Sequence, residues 1–319
     1  MAKTRSERGR NKKKRWLYWI GGMLLIFILA AGGYAYYLYD KVADTAGDMH
    51  EPLKKEKSDK RAEDVVVEQK DPISVLLLGV DERAGDRGRS DTMIVLTVNP
   101  QKNSMMMFNI PRDTRTKIVG KNSQDKINHA YAFGGVDMSV DTVENFLDIP
   151  IDYYVKVNME GFHDIVEAVD GVTVDNKIKW TDTGYYKKGH TYEKGEITLE
   201  TGDEALGYVR MRKQDPRGDM GRNERQRQVI QGIIKKGASL SGVMNFGEIM
   251  EVLGGNVKTN LTFDEMKDLQ KHYAESRKNM KSFEIDGHGE TIDGIWYYIV
   301  PDEERESVSE KVKEHLRQE

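Results

Sequence analysis

Two kinds of apolar pattern alternate along this chain, short runs with a period of two and longer amphipathic runs, and they predict its elements. Ile73 to Asp81, ISVLLLGVD, is a continuous apolar run ending in Gly-x-Asp, which predicts a buried central strand with a carboxylate at its C-terminal edge. Thr92 to Val98 and Met105 to Ile110 predict two strands joined by an Asn99-Pro100 turn. Paired antiparallel, they set Arg89 and Asp91 beside Arg112 and Asp113 at one sheet edge. After KINHAYAFGG, Lys126 to Gly135, the pattern predicts a helix from about Met138 to Leu147, a strand from Tyr153 to Val157, and a helix from Gly161 to Val169 closed by Asp170-Gly171. Val172 to Asp175 reads as a further strand and Trp180 to Leu199 as a turn-rich hairpin excursion. A short helix follows, then a strand Tyr208 to Met211, a Gly/Pro loop, and helices over about 222–236, 244–253 and 263–279. Strands Ser282 to Asp286 and Ile295 to Val300 precede a charged helix from Asp302. Strands alternating with helices predict an α/β sandwich around a mixed sheet.

Upstream of Ile73 the pattern changes. Trp16 to Tyr39 is 24 residues without a charge. As a helix it spans about 36 Å at roughly 1.5 Å per residue, enough to cross a hydrocarbon core of about 30 Å. Trp16, Tyr18 and Trp19 at one end and Tyr34, Tyr36, Tyr37 and Tyr39 at the other suit an aromatic belt at each interface. Residues 1–15 carry eight basic residues against Glu7, a charge of +7, so a chain of net charge -4 has -11 on the remainder. A basic block before a span predicts a cytoplasmic N-terminus with everything after residue 40 outside. The competing reading, a cleaved signal peptide, fits poorly: the apolar core is too long, and Gly33-Tyr34-Ala35 is a weak cleavage site. Residues 40–71, rich in Lys, Glu and Asp, predict a solvated stem. The organisation is thus a tail over 1–15, a transmembrane helix over 16–39, a stem over 40–71 and an outer domain over 72–319. There is no cysteine, which excludes disulfides, thiol nucleophiles and Cys-based zinc sites.

Four separated segments set Arg and Asp at strand ends or turns: Asp81 with Arg83, Arg89 with Asp91, Arg112 with Asp113, and Arg210 with Arg212 leading to Asp219, Arg222, Arg225 and Gln226. On a strand Arg210 and Arg212 share one face. On a helix Arg222 and Gln226, four apart, share another with Arg225 beside them, close to a helix N-terminus that favours an anion. Arginine's planar fork binds phosphate oxygens bidentately, and so many guanidiniums exceed what one carboxylate needs; a diphosphate accounts for them. Asp81 and Asp91 are hard oxygen donors suited to one Mg²⁺ or Mn²⁺. The seven histidines show no zinc-ligand spacing, and neither a Gly-x-Ser-x-Gly elbow nor a Walker-type loop is present. Val75 to Leu78, Ile94 to Val98 and Met105 to Phe108 read as core strands; the sharper reading of the same residues is an apolar tunnel for a lipid chain.

LLLGVD, RSDTM, NIPRD, KINHAYAFGG, YVRMR and the series from Asp219 to Gln226 resemble, in order, the motifs of the LytR-CpsA-Psr family of cell-wall glycopolymer ligases, across roughly residues 72–240. The resemblance implies an α/β/α sandwich whose mixed central sheet encloses a lipid-binding pocket, with a diphosphate at its mouth. It implies that Arg89, Arg112, Arg210, Arg212, Arg222 and Gln226 hold the diphosphate and that Asp81 and Asp91 bind Mg²⁺; Lys126 and Asn128 also fall in a family motif. The implied reaction is phosphotransfer of an anionic glycopolymer, with wall teichoic acid the first expectation, from a polyprenyl-diphosphate carrier to the 6-OH of peptidoglycan N-acetylmuramic acid. Asp219, or else Asp113, is the expected base. The implied partners are the lipid-linked glycopolymer, peptidoglycan and, through one helix, the cell membrane of a Gram-positive-type envelope, with no nucleic acid. The alternatives are a polyprenyl-diphosphate phosphohydrolase and a non-catalytic envelope protein that binds lipid-linked polymer.

Overall fold

A computed structural model of the chain describes residues 40–82, 88–121, 123–237 and 254–317. The chain divides into two units, residues 1–44 and 45–319. The basic tail, the expected span Trp16 to Tyr39, Arg83 and the helix expected over 244–253 lie outside the described residues.

The second unit is built on β1 (Ile73–Val80), β2 (Ser90–Asn99) and β3 (Ser104–Asn109). Leu76 pairs with Val95 and Asn99 with Ser104, both ladders antiparallel, so the expected hairpin and its turn are present. A short pair, β4 (Arg115–Lys117) and β5 (Gln124–Lys126), leads into α1 (His129–Leu147), which starts before Met138 and kinks at Gly135. Then come β6 (Tyr153–Asn158), α2 (Met159–Ala168), β7 (Val172–Asn176), β8 (Trp180–Thr181), β9 (Thr191–Tyr192) and β10 (Gly195–Leu199). They are followed by α3 (Gly202–Arg210), α4 (Asp219–Gly237), β11 (Val257–Thr259) and α5 (Phe263–Tyr273). The chain closes with β12 (Met280–Glu284), β13 (His288–Ile292), β14 (Ile295–Ile299) and α6 (Asp302–His315). The main sheet runs β11-β6-β1-β2-β3-β12 and is mixed: β1/β6 and β3/β12 are parallel, the other pairs antiparallel.

Alternation along the strands sends successive side chains to opposite layers. On one face Leu76, Leu78, Met93, Val95 and Phe108 pack against Val143, Phe146 and Leu147 of α1 and Val308 and Val312 of α6. On the other, Ile73, Val75, Ile94, Leu96 and Met105 face Ile230 and Ile234 of α4 and Met266, Leu269 and Tyr273 of α5. A third cluster joins α2 and α3 to the β7–β10 excursion through Val166, Val174, Trp180 and Tyr208. Helices on both faces of a mixed sheet make the α/β sandwich that the pattern predicts.

Two expectations are corrected. Tyr208 to Arg210 is the last turn of α3, not a strand. Thr201 caps that helix by accepting from the Glu204 backbone N–H, and Asp203 and Glu204 sit in its first turn, where the helix dipole favours them. Strand β7 is present where it is expected, and it pairs with β10 in a small separate sheet. Residues 45–71 are not a solvated stem: Ala46, Met49 and Val67 are buried, and Arg61 forms a two-pronged pair with the buried carboxylate of Asp152, at 2.8 and 2.6 Å.

Candidate functional site

Between the sheet and α4 and α5 lies a cavity of about 950 Å³. Native cores are close-packed with few voids larger than a water molecule, so this space is not a packing defect. Ile73, Val75, Leu77, Leu96, Val155 and Ile230 are among the side chains that line it. The strands read from the sequence as core therefore also form the wall of an apolar pocket.

At one part of that wall the charged residues gather. Strand β1 ends in a register shift between Gly79 and Val80, and Asp81 follows directly. A Cβ on Gly79 would lie 2.9 Å from the Thr92 Cβ, so β1 and β2 approach closely only with glycine here. Gly88, at φ +70°, brings the chain back against the Asp81 carbonyl, and the Asp81 N–H donates to the Arg89 carbonyl at 3.3 Å. Past β3, the Ile110 N–H still bonds the Met93 carbonyl at 2.9 Å, so Pro111 and Arg112 run alongside the start of β2. That register places Arg112 Nη1 2.8 Å from Asp91 Oδ1. Arg112 Nε lies 3.6 Å from Asp113 Oδ2, and the other oxygen of Asp113 accepts from Lys126 Nζ at 2.7 Å.

Helix α4 supplies the opposite side. Asp219 Oδ2 lies 3.1 Å from Arg222 Nη2 and 3.5 Å from Arg112 Nε, and its Oδ1 lies 3.4 Å from Arg212 Nη1. One carboxylate is thus shared by three guanidiniums. Arg222 and Gln226 line the cavity, as the spacing of four predicts. Arg225 does not: it is buried, with Nη1 on Asp215 Oδ2 at 2.6 Å and Nη2 on the Met211 carbonyl at 2.5 Å. It clamps the loop that carries Arg212 onto α4 instead of joining the charged face. Burial, and then the neighbouring Arg112 and Arg212, push the Arg222 guanidinium below its ordinary value despite Asp219 and Asp91. For Arg112 burial acts in the same direction, but Asp91, Asp219 and Asp113 together outweigh it and raise the group. Both stay cationic at neutral pH.

The buried Nε–H of Arg222 makes no hydrogen bond in the protein, and that of Arg112 makes none either, its nearest carboxylate oxygens being 3.5 and 3.6 Å away. Leaving such a donor unmade costs about 1–3 kcal/mol, and the two guanidiniums that carry one here also border the cavity, where their charge suits an anion. Arg225 and Arg227 have unpartnered Nε atoms too, but neither residue lines the cavity.

Of the residues singled out in the sequence, Asp81, Asp91, Arg112, Arg210, Arg212, Arg222 and Gln226 all border this one space. Arg210 and Arg212 reach it from a helix end and the following loop, not from one strand face. Asp113 and Asp219 pair with Arg112, Lys126 pairs with Asp113, and Arg89 adjoins Asp81 without bordering the cavity. Among the described residues no group of three or more His, Cys, Asp or Glu side chains forms a metal cage. Two carboxylates still suit Mg²⁺, which completes its shell with phosphate oxygens and water. Sequence reasoning missed Asn109, Arg227 and Glu284, which support α4 from below; the Asn of NIPRD was the available signal.

The family model described as "LytR_cpsA_psr family" matches residues 36–314. A Bacillus subtilis protein named polyisoprenyl-teichoic acid–peptidoglycan teichoic acid transferase TagU is 53% identical over 312 residues, covering 98% of this chain and 99% of that protein. The crystal structure of B. subtilis TagU matches with a TM-score of 0.63 at 50% identity, over 78% of this chain and 99% of the other. A TagT structure described as bound to LIIa-WTA matches with a TM-score of 0.73 at 34% identity, over 84% and 99%. With its mixed sheet and flanking helices matching those structures, the chain belongs to the LytR_cpsA_psr family.

Proposed function

We propose that this chain is a phosphotransferase that moves an anionic glycopolymer, wall teichoic acid first among them, from a polyprenyl-diphosphate carrier to peptidoglycan. The observation that carries the reading is the junction of two chemistries in one cavity: an apolar wall for an isoprenoid chain, and the guanidiniums of Arg112, Arg210, Arg212 and Arg222 bordering the same space. Teichoic acid transferases among its relatives, and a TagT bound to a wall teichoic acid ligand, support the same substrate class.

In this reading the prenyl chain lies along β1, β2 and α4, where each buried methylene-sized group contributes about 0.8 kcal/mol. Arg112, Arg210, Arg212, Arg222 and Gln226 hold the diphosphate, and Arg89 adds charge near Asp81. Asp81 and Asp91 hold Mg²⁺, or Mn²⁺, which when bound neutralises charge on the phosphate oxygens. The N-acetylmuramic acid 6-OH attacks the glycan-side phosphorus. Its proton passes to Asp219, and the bond from that phosphorus to the bridging oxygen breaks, releasing polyprenyl phosphate. Asp113, held by Lys126, is the alternative acceptor of the proton. The fixed guanidiniums stabilise charge that develops on the leaving phosphate, and no nucleotide is consumed because the diphosphate is itself the activated bond. Residues 16–39 anchor the protein as a single-pass type II membrane protein with this domain outside the cell.

The test is a transfer assay with the full-length chain in detergent, Mg²⁺, a polyprenyl-diphosphate-linked teichoic acid precursor and uncrosslinked peptidoglycan. A new phosphodiester on peptidoglycan, lost in Arg112→Ala and reduced at least about 100-fold in Asp219→Asn, is the expected result. Lipid phosphate release without attachment would make the protein a hydrolase. Full transfer by Asp219→Asn would move the base to Asp113.

A further inference from the structure

We propose that Asn109 is a positioning residue that turns the side-chain amide of Gln226 so that its NH₂, and not its carbonyl, faces the anion at the cavity mouth. The inference rests on the diphosphate reading given above and deepens it.

Asn109 is the last residue of β3 and is 3% exposed; Arg227, next to Gln226 on α4, is 4% exposed. Neither borders the cavity. Arg227 Nη1 donates to Asn109 Oδ1 at 2.8 Å, and its Nη2 donates to Glu284 Oε1 on β12 at 2.8 Å. Arg227 is thus held from two sides, and the same Glu284 oxygen is itself fixed by accepting from Arg217 at 2.6 Å. A guanidinium has donors only. The Asn109 carbonyl must therefore face Arg227, and its NH₂ must point the other way, where Nδ2 donates to Gln226 Oε1 at 3.3 Å. With its carbonyl so occupied, Gln226 has its own NH₂ left for the cavity that it lines.

The two faces of a primary amide have nearly the same shape and opposite polarity. Packing alone does not choose between them, and a carbonyl turned toward phosphate oxygens repels them. A charge buried behind the site makes the choice here through one intervening amide. The orientation of Gln226 is thus specified by a residue that never meets the substrate.

The experiment uses the full-length chain in detergent, with geranylgeranyl diphosphate as the binding probe and titration calorimetry as the readout. In Asn109→Asp the carboxylate still pairs with Arg227 but cannot donate to Gln226; it accepts from the Gln226 NH₂ and draws it away from the cavity. Binding should weaken about 10- to 100-fold, the range of one charge-assisted hydrogen bond lost or reversed. Asn109→Ala, which adds no charge and leaves Gln226 free to take either orientation, should weaken it about 3- to 10-fold. Both substitutions are repeated in a Gln226→Met background, where a relay through Gln226 has nothing left to act on. There each should cost less than about 3-fold, whereas an effect of charge or of general structure would persist undiminished. Equal losses in the two backgrounds overturn the relay while leaving the diphosphate reading intact. Failure of the unsubstituted chain to bind the probe overturns both.

Discussion

Gly221, in the first turn of α4, offers a substitution whose sign is set by competition between two effects. In an exposed helix interior, Gly→Ala stabilises by about 0.5–1 kcal/mol, because alanine restricts the unfolded chain and favours the helix. Here the added Cβ would sit 1.8 Å from Asp215 Oδ2. That oxygen is not a free side-chain end: it is bonded to Arg225 Nη1 at 2.6 Å, while the other Asp215 oxygen accepts from the Arg217 N–H at 2.8 Å. The Asp215 and Arg225 side chains are 7% and 5% exposed. Moving the carboxylate breaks a buried ion pair and leaves both charges under-compensated, at a cost of about 3–5 kcal/mol. Subtracting the helix gain leaves Gly221→Ala destabilising by about 2–4 kcal/mol. For a domain of this size that lowers Tm by roughly 5–15 °C. The loop released by the break carries Arg212, so transfer activity should fall at temperatures where the variant is still folded. Thermal unfolding followed by circular dichroism, with urea midpoints beside it, measures the first effect, and the transfer assay measures the second. An unchanged or raised Tm would show that Asp215 relaxes freely and that the Arg225 clamp does not hold the loop.

Arg61→Ala should cost about 2–4 kcal/mol, because it strips both Arg61 bonds from the Asp152 carboxylate and leaves only the two donors of Ser74. Urea unfolding of a chain cut at residue 72 should show a larger loss than this variant, because the cut also removes the buried Ala46, Met49 and Val67. Stability should also depend on pH through His315, whose ring nitrogens lie 2.8 Å from the hydroxyls of Thr97 and Ser104. Burial, then Lys102 and Lys281, push this imidazole down to about 4. Its folded value thus lies below its unfolded one, near 6.5, so the unfolded state binds more protons between them. The stability it contributes is complete above about pH 6.5 and is lost as pH falls toward 4. Allowing for partial exposure, the chain should lose about 1 kcal/mol more than His315→Asn between pH 7 and pH 5, and urea midpoints at the two values give the difference.

The β1–β3 core of the sheet was legible because its cues are local. An apolar run, a period of two and an Asn-Pro turn specify a hairpin, and its register alone brings Arg112 to Asp91. YVRM, by contrast, reads as a strand by alternation, yet Thr201, Asp203 and Glu204 start a helix whose buried face includes Leu206, Tyr208 and Val209. A nucleated, capped helix overrides a weak period over four residues. Residues 45–71 misled through composition: few apolar groups are needed when Ala46, Met49, Val67 and one buried arginine pair make the contacts.

The arginines draw the boundary most clearly. Arg212, Arg222 and Arg225 are chemically identical in the sequence, and their spacing shows only which could share a helix face. Which of them meets solvent or substrate depends on where Asp215 and Asp219 arrive from neighbouring loops and turns. The sequence by itself determined the strands β1–β3 at the centre of the sheet, their hairpin, and the set of charged residues that one sheet edge and one helix would gather. Only the tertiary structure decided that the space between them is a cavity, that Asp219 is shared by three guanidiniums, and that Arg225 and Asn109 work from behind. Periodicity is a local property of the chain, whereas burial and charge pairing depend on contacts between residues far apart in it.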